Sequence, residues 1–236
     1  MRIFEAVSEF LLSAFFPDRC SVCGEVVESG KCICDKCRFL VFPIESPVCT
    51  KCGASLEGHS EDRCREISAP VIGAYYYRDA VRNIIINFKD TKQLRFYRFL
   101  SLGLYEKIAS EYSGVDFDIA VCVPTREKGK STSGIICRET AKRFFIDFDV
   151  DVLEKYRETK KQHRLSVEER FTNLENSIRV RAGKESLVNG KTVLLCDDVK
   201  TTGTTLNECV KALYSAGAKE IYCACLAVSD YSSDKF

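Results

Sequence analysis

The sequence has little net charge and no long hydrophobic run. Its 35 Lys and Arg residues nearly balance 34 Asp and Glu residues, which leaves a formal net charge of +1 at pH 7. Such a balance creates no overall field that would attract nucleic acid or a membrane surface. The chain also lacks an apolar run long enough to cross a bilayer. We therefore expect no insertion into a membrane.

A recognisable export signal is also missing. The apolar stretch at residues 11–16 is short, and it follows Glu5 and Glu9 where a signal peptide would have a basic region. For this reason we expect a cytoplasmic protein. Paired cysteines in that compartment are more often metal ligands than disulfides.

Cysteine, in contrast, is abundant. The chain has 14 cysteines, and eight of them precede residue 65, mostly as C-x-x-C pairs. Two such pairs separated by ten residues can hold Zn²⁺ in a tetrahedral thiolate site. The four predicted ligands are Cys20, Cys23, Cys34 and Cys37. A second site is predicted through Cys49, Cys52 and Cys64.

The fourth ligand of the second site is open at this stage. His59 is a chemically sensible ligand, Glu61 stands where the last cysteine would have its pair partner, and Cys32 is a spare thiol. The cysteine-rich region therefore predicts one or two structural zinc ions in a small domain over residues 1–67.

Residues 68–236 are predicted to form a second domain in which strands and helices alternate. Apolar and β-branched runs favour strands, and apolar residues three or four apart favour helices. The predicted strands are 71–77, 117–123, 178–180, 192–196 and 220–228. The predicted helices are 79–89, 94–112, 134–146 and one that follows residue 205 and ends before Gly217.

The most informative stretch is residues 193–205. A buried strand is followed by Asp197 and Asp198, then by a threonine-rich turn around Gly203, then by a helix. Ligands of open α/β sheets bind at this edge, and the N–H groups at a helix start suit a phosphate. Two carboxylates beside a phosphate make chemical sense if the ligand also carries hydroxyl groups or a divalent cation. The pattern therefore predicts a sugar phosphate bound with Mg²⁺.

A basic loop adds a second candidate anion site. The strand at 117–123 ends at Pro124 and leads into a loop that contains Arg126 and Lys128. Because this loop also follows a strand and precedes a helix, we expect it at the same sheet edge as the acidic pair.

Residues 155–173 are rich in charge and show no clean strand period. Long irregular segments in compact domains are usually functional or disordered. We expect a mobile lid whose cations Lys160, Lys161 and Arg164 lie over a diphosphate.

The stretch at 193–205 resembles the loop with which type I phosphoribosyltransferases bind 5-phosphoribosyl 1-diphosphate (PRPP). The resemblance implies that Asp197 and Asp198 hold the ribose hydroxyls. It also implies that the 5-phosphate is wrapped by Thr201, Thr202, Gly203, Thr204 and Thr205.

Nearly the whole chain resembles the ComF family, which joins an N-terminal zinc ribbon to an amidophosphoribosyltransferase-like domain. Tyr77, Phe88, Lys89 and the polar segment at 160–174 match residues of that family. The resemblance implies a type I phosphoribosyltransferase fold, with a parallel-sheet core and flanking helices, preceded by a small zinc-ribbon domain. It further implies PRPP and Mg²⁺ as ligands, transfer of phosphoribosyl to an unidentified acceptor with release of diphosphate, and a link to DNA uptake.

The chain departs from the family pattern at two places. Residues 133–136 replace an arginine-glycine-phenylalanine-asparagine run, and Lys200 replaces an apolar residue, which adds a cation near the ligand. A different function is also compatible with the sequence: a scaffold without catalysis, or a competence protein that handles single-stranded DNA. In that case the aromatic and basic residues at 95–99 would stack on bases. The alternative interpretation is a helix with core aromatics and exposed arginines.

Overall fold

The computed structural model describes residues 17–57, 59, 64, 66–125, 131–156 and 177–229. The basic loop with Arg126 and Lys128 lies outside these ranges, as does Glu61. Most of the charged segment 155–173, with Lys160, Lys161 and Arg164, also lies outside them. No helix within the described ranges is both long and apolar enough to cross a membrane.

The C-terminal part of the chain is organised around a parallel sheet. The strands of the described ranges are β1 (Val71–Tyr76), β2 (Ile119–Cys122), β3 (Asp147–Asp149), β4 (Leu153–Lys155), β5 (Ile178–Val180), β6 (Thr192–Lys200) and β7 (Glu220–Val228). Five of them pair in parallel in the order β1-β7-β6-β2-β3, while β4 and β5 form a separate antiparallel pair.

Helices cover both faces of the sheet. They are α1 (Asp79–Thr91), α2 (Leu94–Glu111), α3 (Thr132–Phe144) and α4 (Thr204–Ser215). Alternate residues of β6 face the two sides: Leu194 packs in the cluster with α1, α2 and α3, whereas Leu195 packs in the cluster with α4. Both side chains are fully buried, as expected for a parallel sheet between two helical layers.

The cysteine-rich region covers the outer edge of β1. The Ile44 N–H donates to the Ala74 carbonyl at 3.0 Å, and the Tyr76 N–H donates to the Phe42 carbonyl at 2.9 Å. Ile33 and other apolar residues of this region join the hydrophobic cluster that contains α1 and α2. The backbone groups on the outer edge of β1 thus find hydrogen-bond partners within the chain, which protects this edge strand from pairing with another molecule.

Strand β6 is longer than the sequence pattern predicts. It pairs with β2 only as far as Cys196 but continues beside β7 as far as Lys200. The last contact on the β2 side is the Val123 N–H, which donates to the Cys196 carbonyl at 3.1 Å. Because β2 has ended, residues 197 and 198 lie where the sheet opens on one side.

The other elements agree closely with the expectations. The strands at 178–180 and 220–228 have the predicted bounds, and the helices predicted at 79–89 and 94–112 are each within two residues of α1 and α2. Helix α3 begins and ends two residues earlier than predicted, with Ser131 as its N-cap. The short strands β3 and β4 were not predicted, because each contains only one apolar residue and so forms no apolar run in the sequence.

Candidate functional site

The acidic pair lies at the open end of β6 and is tied to two helices. Asp197 is 9% exposed, and its Oδ1 accepts hydrogen bonds from the Ser133 hydroxyl at 3.0 Å and from the Asp198 N–H at 2.8 Å. Lys89, near the end of α1, places its Nζ 3.0 Å from Asp198 Oδ1. The two carboxylates therefore meet one hydroxyl donor from α3 and one ammonium group from α1.

Burial gives the pair unusual protonation behaviour. Desolvation and then the neighbouring Asp198 charge raise the pKa of Asp197 to about 7. Burial acts against the charge of Lys89, but the Asp198 carboxylate outweighs it and raises the pKa of Lys89 above its ordinary value. At neutral pH Asp197 thus exchanges a proton easily, while Lys89 stays charged. The Asp197–Asp198 pair can therefore accept hydrogen bonds from ligand hydroxyls or donate hydrogen bonds to them.

The threonine turn joins β6 to α4 through Gly203. This residue has φ +81°, and it is the N-cap of α4. The positive φ is what requires glycine here; a Cβ at this position would also press against the tip of the Ile67 side chain, which would have to shift.

The start of α4 presents polar groups of the kind that bind phosphate. Among the described residues, no side chain caps this helix at Gly203. The hydroxyls of Thr202 and Thr204 lie 3.0 Å apart, while Thr201 is exposed and Thr205 is half-buried. First-turn N–H groups together with clustered hydroxyls suit an anion.

The sequence did not reveal all the residues of this site. Lys89 matched a lysine of the resembled family, but nothing in the pattern indicated that it pairs with Asp198. Ser133 falls in a segment that departs from the family, yet it donates directly to Asp197. Both contacts join residues more than sixty positions apart, and short-range periodicity carries no information at that distance.

The first cysteine cluster has the geometry of a zinc site. The ligand atoms of Cys20, Cys23, Cys34 and Cys37 all lie within 4.8 Å of one another. The sulfurs of Cys23 and Cys34 are 3.7 Å apart, close to the edge of about 3.8 Å expected for two sulfurs on one tetrahedral Zn²⁺. Burial raises the pKa of Cys20, but backbone N–H groups of Cys23 and Cys34 outweigh it and bring the pKa to about 6. The four predicted thiols therefore fit a structural zinc ion.

In the second cluster, His59 stands at the position of the fourth ligand. Cys49, Cys52, His59 and Cys64 place their ligand atoms within 4.8 Å of one another. The Cys52 sulfur is 3.2 Å from His59 Nε2, and the sulfurs of Cys49 and Cys64 are 3.9 Å apart. These distances fit three thiolates and one imidazole around Zn²⁺.

Cys32 is not part of either cluster. Its side chain is buried in the hydrophobic cluster, and burial raises its pKa to about 12, so it behaves as a core thiol. Among the described residues, His59 therefore completes the second site, and Cys32 does not.

Lys200 is buried beside the threonine turn, with its Cε 3.3 Å from the Cβ position of Gly203. It is 2% exposed, and its charge is favoured by the thiols of Cys52, Cys225, Cys64 and Cys49, three of which belong to the second cysteine cluster. The side chain therefore does not project from the threonine turn into solvent. Burial lowers its pKa below the ordinary value, against the attraction of these thiols.

The aromatic residues at 95–99 are core residues for the most part. Phe96 and Tyr97 are buried, and the Phe88 and Tyr97 rings stack with centroids 5.9 Å apart. Arg95 Nη1 forms an ion pair with Asp18 Oδ1 at 2.7 Å and donates a hydrogen bond to the Lys31 carbonyl at 2.8 Å. The interpretation as a helix with core aromatics is thus the one that the structure supports.

Comparison with known proteins finds matches to two domain families. The chain matches the double zinc ribbon domain family over residues 11–68 and the phosphoribosyl transferase domain family over residues 131–235. It is 26% identical over 219 residues to the DNA utilization protein YhgH of Escherichia coli K12, which covers 87% of this chain and 89% of the relative. It is also 26% identical over 223 residues to competence protein F of Haemophilus influenzae, which covers 88% of this chain and 95% of the relative.

The chain is a homologue of these proteins. It has a type I phosphoribosyltransferase domain behind a double zinc ribbon, so the predicted fold class and the resemblance to the ComF family are confirmed. The two cysteine clusters agree with structural zinc in the ribbon.

Solved structures similar to this chain include phosphoribosyltransferases. The purine phosphoribosyltransferase of Pyrococcus horikoshii is 24% identical, with 56% of this chain and 72% of that chain covered and a TM-score of 0.36. A structure of the allosteric regulatory enzyme of purine biosynthesis is 24% identical, with a TM-score of 0.35. The match covers 52% of this chain but only 24% of that enzyme.

Proposed function

We propose that this protein binds PRPP with Mg²⁺ and transfers the phosphoribosyl group to an acceptor with release of diphosphate. One observation carries the proposal: an acidic pair at the open end of β6, with Asp197 buried and Asp198 half-buried, is followed closely by a threonine turn that starts α4. This arrangement offers partners for the two chemically different ends of a sugar phosphate.

Asp197 and Asp198 are the proposed partners of the ribose hydroxyls. Carboxylate oxygens accept hydrogen bonds from vicinal hydroxyl groups, and the half-buried position of Asp198 leaves it reachable by a ligand. The 5-phosphate is proposed to lie against the turn, with N–H groups from the start of α4 and hydroxyls from Thr201, Thr202, Thr204 and Thr205. Lys89 supplies a cation beside an anionic ligand.

The proposed reaction needs no protein nucleophile. The bond between C1 of the ribose and the diphosphate oxygen breaks, and its electron pair leaves with the diphosphate. A lone pair of the acceptor forms the new bond at C1, and the acceptor loses a proton. Catalysis then consists of placing charge where it develops and of excluding water.

Cations near the diphosphate are the second part of this proposal. Mg²⁺ would be held by the ligand together with the acidic pair, and its chemistry is to neutralise the leaving group. Further neutralisation is assigned to Arg126 and Lys128 after β2, and to Lys160, Lys161 and Arg164 between β4 and β5. These five residues are proposed from the sequence alone, because they lie outside the described ranges.

A part in DNA utilization or competence is proposed as the setting of this activity. The names of the relatives support it, since they describe a DNA utilization protein and a competence protein. The rival function is a scaffold without turnover that handles single-stranded DNA; the acidic pair favours PRPP binding but does not distinguish binding from turnover. The rival function loses base stacking on Phe96 and Tyr97, since both rings are buried.

Calorimetry and a turnover assay test the proposal in two steps. We expect saturable binding of PRPP that requires Mg²⁺, with weaker binding of ribose 5-phosphate, which lacks the diphosphate. Diphosphate release should then be followed with and without a series of amines as acceptors. Saturable binding without release under any acceptor would favour the scaffold or a PRPP sensor, and no binding at all would overturn the proposal.

A further inference from the structure

The second cysteine cluster lies directly against the proposed phosphate turn. Ile67, three residues after the last ligand, packs so closely against Gly203 that a Cβ there would press against Ile67 Cδ1. The Ile67 N–H donates at 2.7 Å to the carbonyl of Lys51, which stands between Cys49 and Cys52. The knuckle of the cluster therefore positions the side chain that supports the turn.

Hydrogen bonds fasten the same segment to the first turn of α4. Asn207 Oδ1 accepts from both the N–H and the hydroxyl of Ser68, each at 2.8 Å, and Asn207 Nδ2 donates to the Glu66 carbonyl at 3.1 Å. The Asn207 N–H donates in turn to the Gly203 carbonyl at 2.9 Å. Residues 66–68 thus connect the cluster to the turn by side-chain packing and by a hydrogen-bonded chain.

Charge provides a further connection through Lys200. Zn²⁺ held by three thiolates and one neutral imidazole has a formal charge of −1. Lys200, which directly precedes the turn, is 2% exposed, and its charge is favoured by the three thiols of this cluster together with the core thiol of Cys225. A buried ammonium group needs a nearby opposite charge, and the loaded metal centre supplies one of equal size. The Lys200 Cε is also only 3.3 Å from the Cβ position of Gly203.

The first cysteine cluster has no such relation to the turn within the described residues. Its Cys20 and Cys37 pack in the hydrophobic cluster on the α1 and α2 side of the sheet, whereas α4 packs on the other side. Lys36, which stands between two of its ligands, is 82% exposed and pairs with Glu25. It is therefore a matched control for a lysine beside a zinc centre.

We propose that the centre formed by Cys49, Cys52, His59 and Cys64, together with the positioning residue Lys200, holds the phosphate turn in its binding shape, so that zinc occupancy and PRPP binding favour each other. This inference rests on the proposed function. Zinc fixes residues 66–68 and balances the Lys200 charge; a bound 5-phosphate fixes the turn from its other side. Coupling of this kind is reciprocal, so each ligand must raise the affinity of the other by the same factor.

The test uses the full chain loaded with zinc. A chromogenic chelator competes for the metal at equilibrium, with and without saturating PRPP and Mg²⁺, and the step that is absent in His59→Ala identifies the second centre. We expect PRPP to tighten zinc binding at that centre about tenfold, within the range of typical couplings, and to leave the first centre unchanged. Asp197→Asn with Asp198→Asn should abolish the effect, which excludes binding of zinc by PRPP itself.

Variants at Lys200 test the charge connection. Lys200→Met should weaken zinc at the second centre even without PRPP and should weaken PRPP binding about tenfold, while Lys200→Arg should preserve most of both. Lys36→Met should change neither quantity. If Lys200→Met fails to fold, Asn207→Ala, which breaks only the hydrogen-bonded chain, should reduce the coupling factor.

The possible failures are distinguishable. No binding of PRPP to the zinc-loaded wild-type protein would overturn the proposed function and the coupling with it. Normal PRPP binding with the same zinc affinity in its presence and absence would overturn the coupling alone. Equal loss of zinc in Lys200→Met and Lys36→Met would remove Lys200 from the connection.

Discussion

The Nζ of Lys89 lies 3.0 Å from Oδ1 of Asp198. This ion pair joins the end of α1 to the carboxyl end of β6, at the point where β2 no longer covers the sheet. It keeps one positive charge beside two adjacent carboxylates. A ligand that reaches Asp198 therefore meets an ammonium group at the same place.

Replacing Lys89 should weaken binding of an anionic ligand. We expect Lys89→Met to lower the affinity for PRPP about tenfold, because it removes a half-buried cation and leaves the acidic pair without a neutralising charge. Lys89→Arg keeps the charge and should lose less. Arg82→Met, an exposed cation on the same helix, is the control for a general change in charge. Titration calorimetry distinguishes these outcomes, and equal affinity in Lys89→Met and wild type would remove Lys89 from the site.

The raised pKa of Asp197 predicts a specific dependence of stability on pH. Burial in the fold raises this pKa from the ordinary aspartate value of 3.8 to about 7, so the folded state binds the extra proton and is favoured at low pH. This contribution is full below about pH 4, is lost as the pH rises, and is gone above about pH 7. Asp197→Asn has no titrating group at this position, so its stability does not change with pH for this reason.

The difference in free energy of unfolding between Asp197→Asn and wild type measures this effect. We expect the Asn variant to gain stability relative to the wild type progressively as the pH rises from about 4 to about 7, with no further change above about pH 8. Using the difference cancels contributions of the cysteine clusters that both proteins share. A difference that does not depend on pH across this range would contradict the raised pKa of Asp197.

Ser133 donates to Asp197 and should influence its titration. Removing the hydroxyl in Ser133→Ala takes away a hydrogen bond that lowers the pKa of Asp197, so that pKa should rise further. We expect a cost of about 1 kcal/mol in stability and weaker PRPP binding. Ser131→Ala is a matched control: its side chain caps α3 by accepting from the Gly134 N–H at 3.0 Å, so its loss should cost a similar energy without moving the Asp197 titration.

Patterns in the sequence predicted the features that depend on residues close together in the chain. Apolar periodicity placed α1 and α2 to within two residues, and the strand, acidic pair and turn at 193–205 indicated the phosphoribosyltransferase domain. Local patterns did not predict the extension of β6 to Lys200, because that depends on pairing with β7 after β2 has ended. The partners of Asp197 and Asp198, the burial of Lys200 and the choice of His59 over Cys32 likewise follow from how distant segments pack.

The zinc content gives a direct test of the second cluster. We expect two zinc ions per chain in the wild-type protein and one in His59→Ala, because the remaining three thiols no longer close the tetrahedron. His59→Cys should restore two, since four thiolates also suit structural zinc. Cys32→Ala and Glu61→Gln should keep two, because neither residue is assigned as a ligand. Elemental analysis of purified protein is the measurement, and two zinc ions in His59→Ala would contradict this ligand set.

Calorimetric titration of the double variant Asp197→Asn, Asp198→Asn with PRPP and Mg²⁺ tests the central claim most directly. Amides of the same shape keep the strand and its packing, so circular dichroism and zinc content should match the wild type. The proposed site predicts that saturable PRPP binding, present in the wild type, is abolished in this folded variant. Unchanged PRPP affinity in the double variant would contradict the assignment of the acidic pair as the ribose-binding groups.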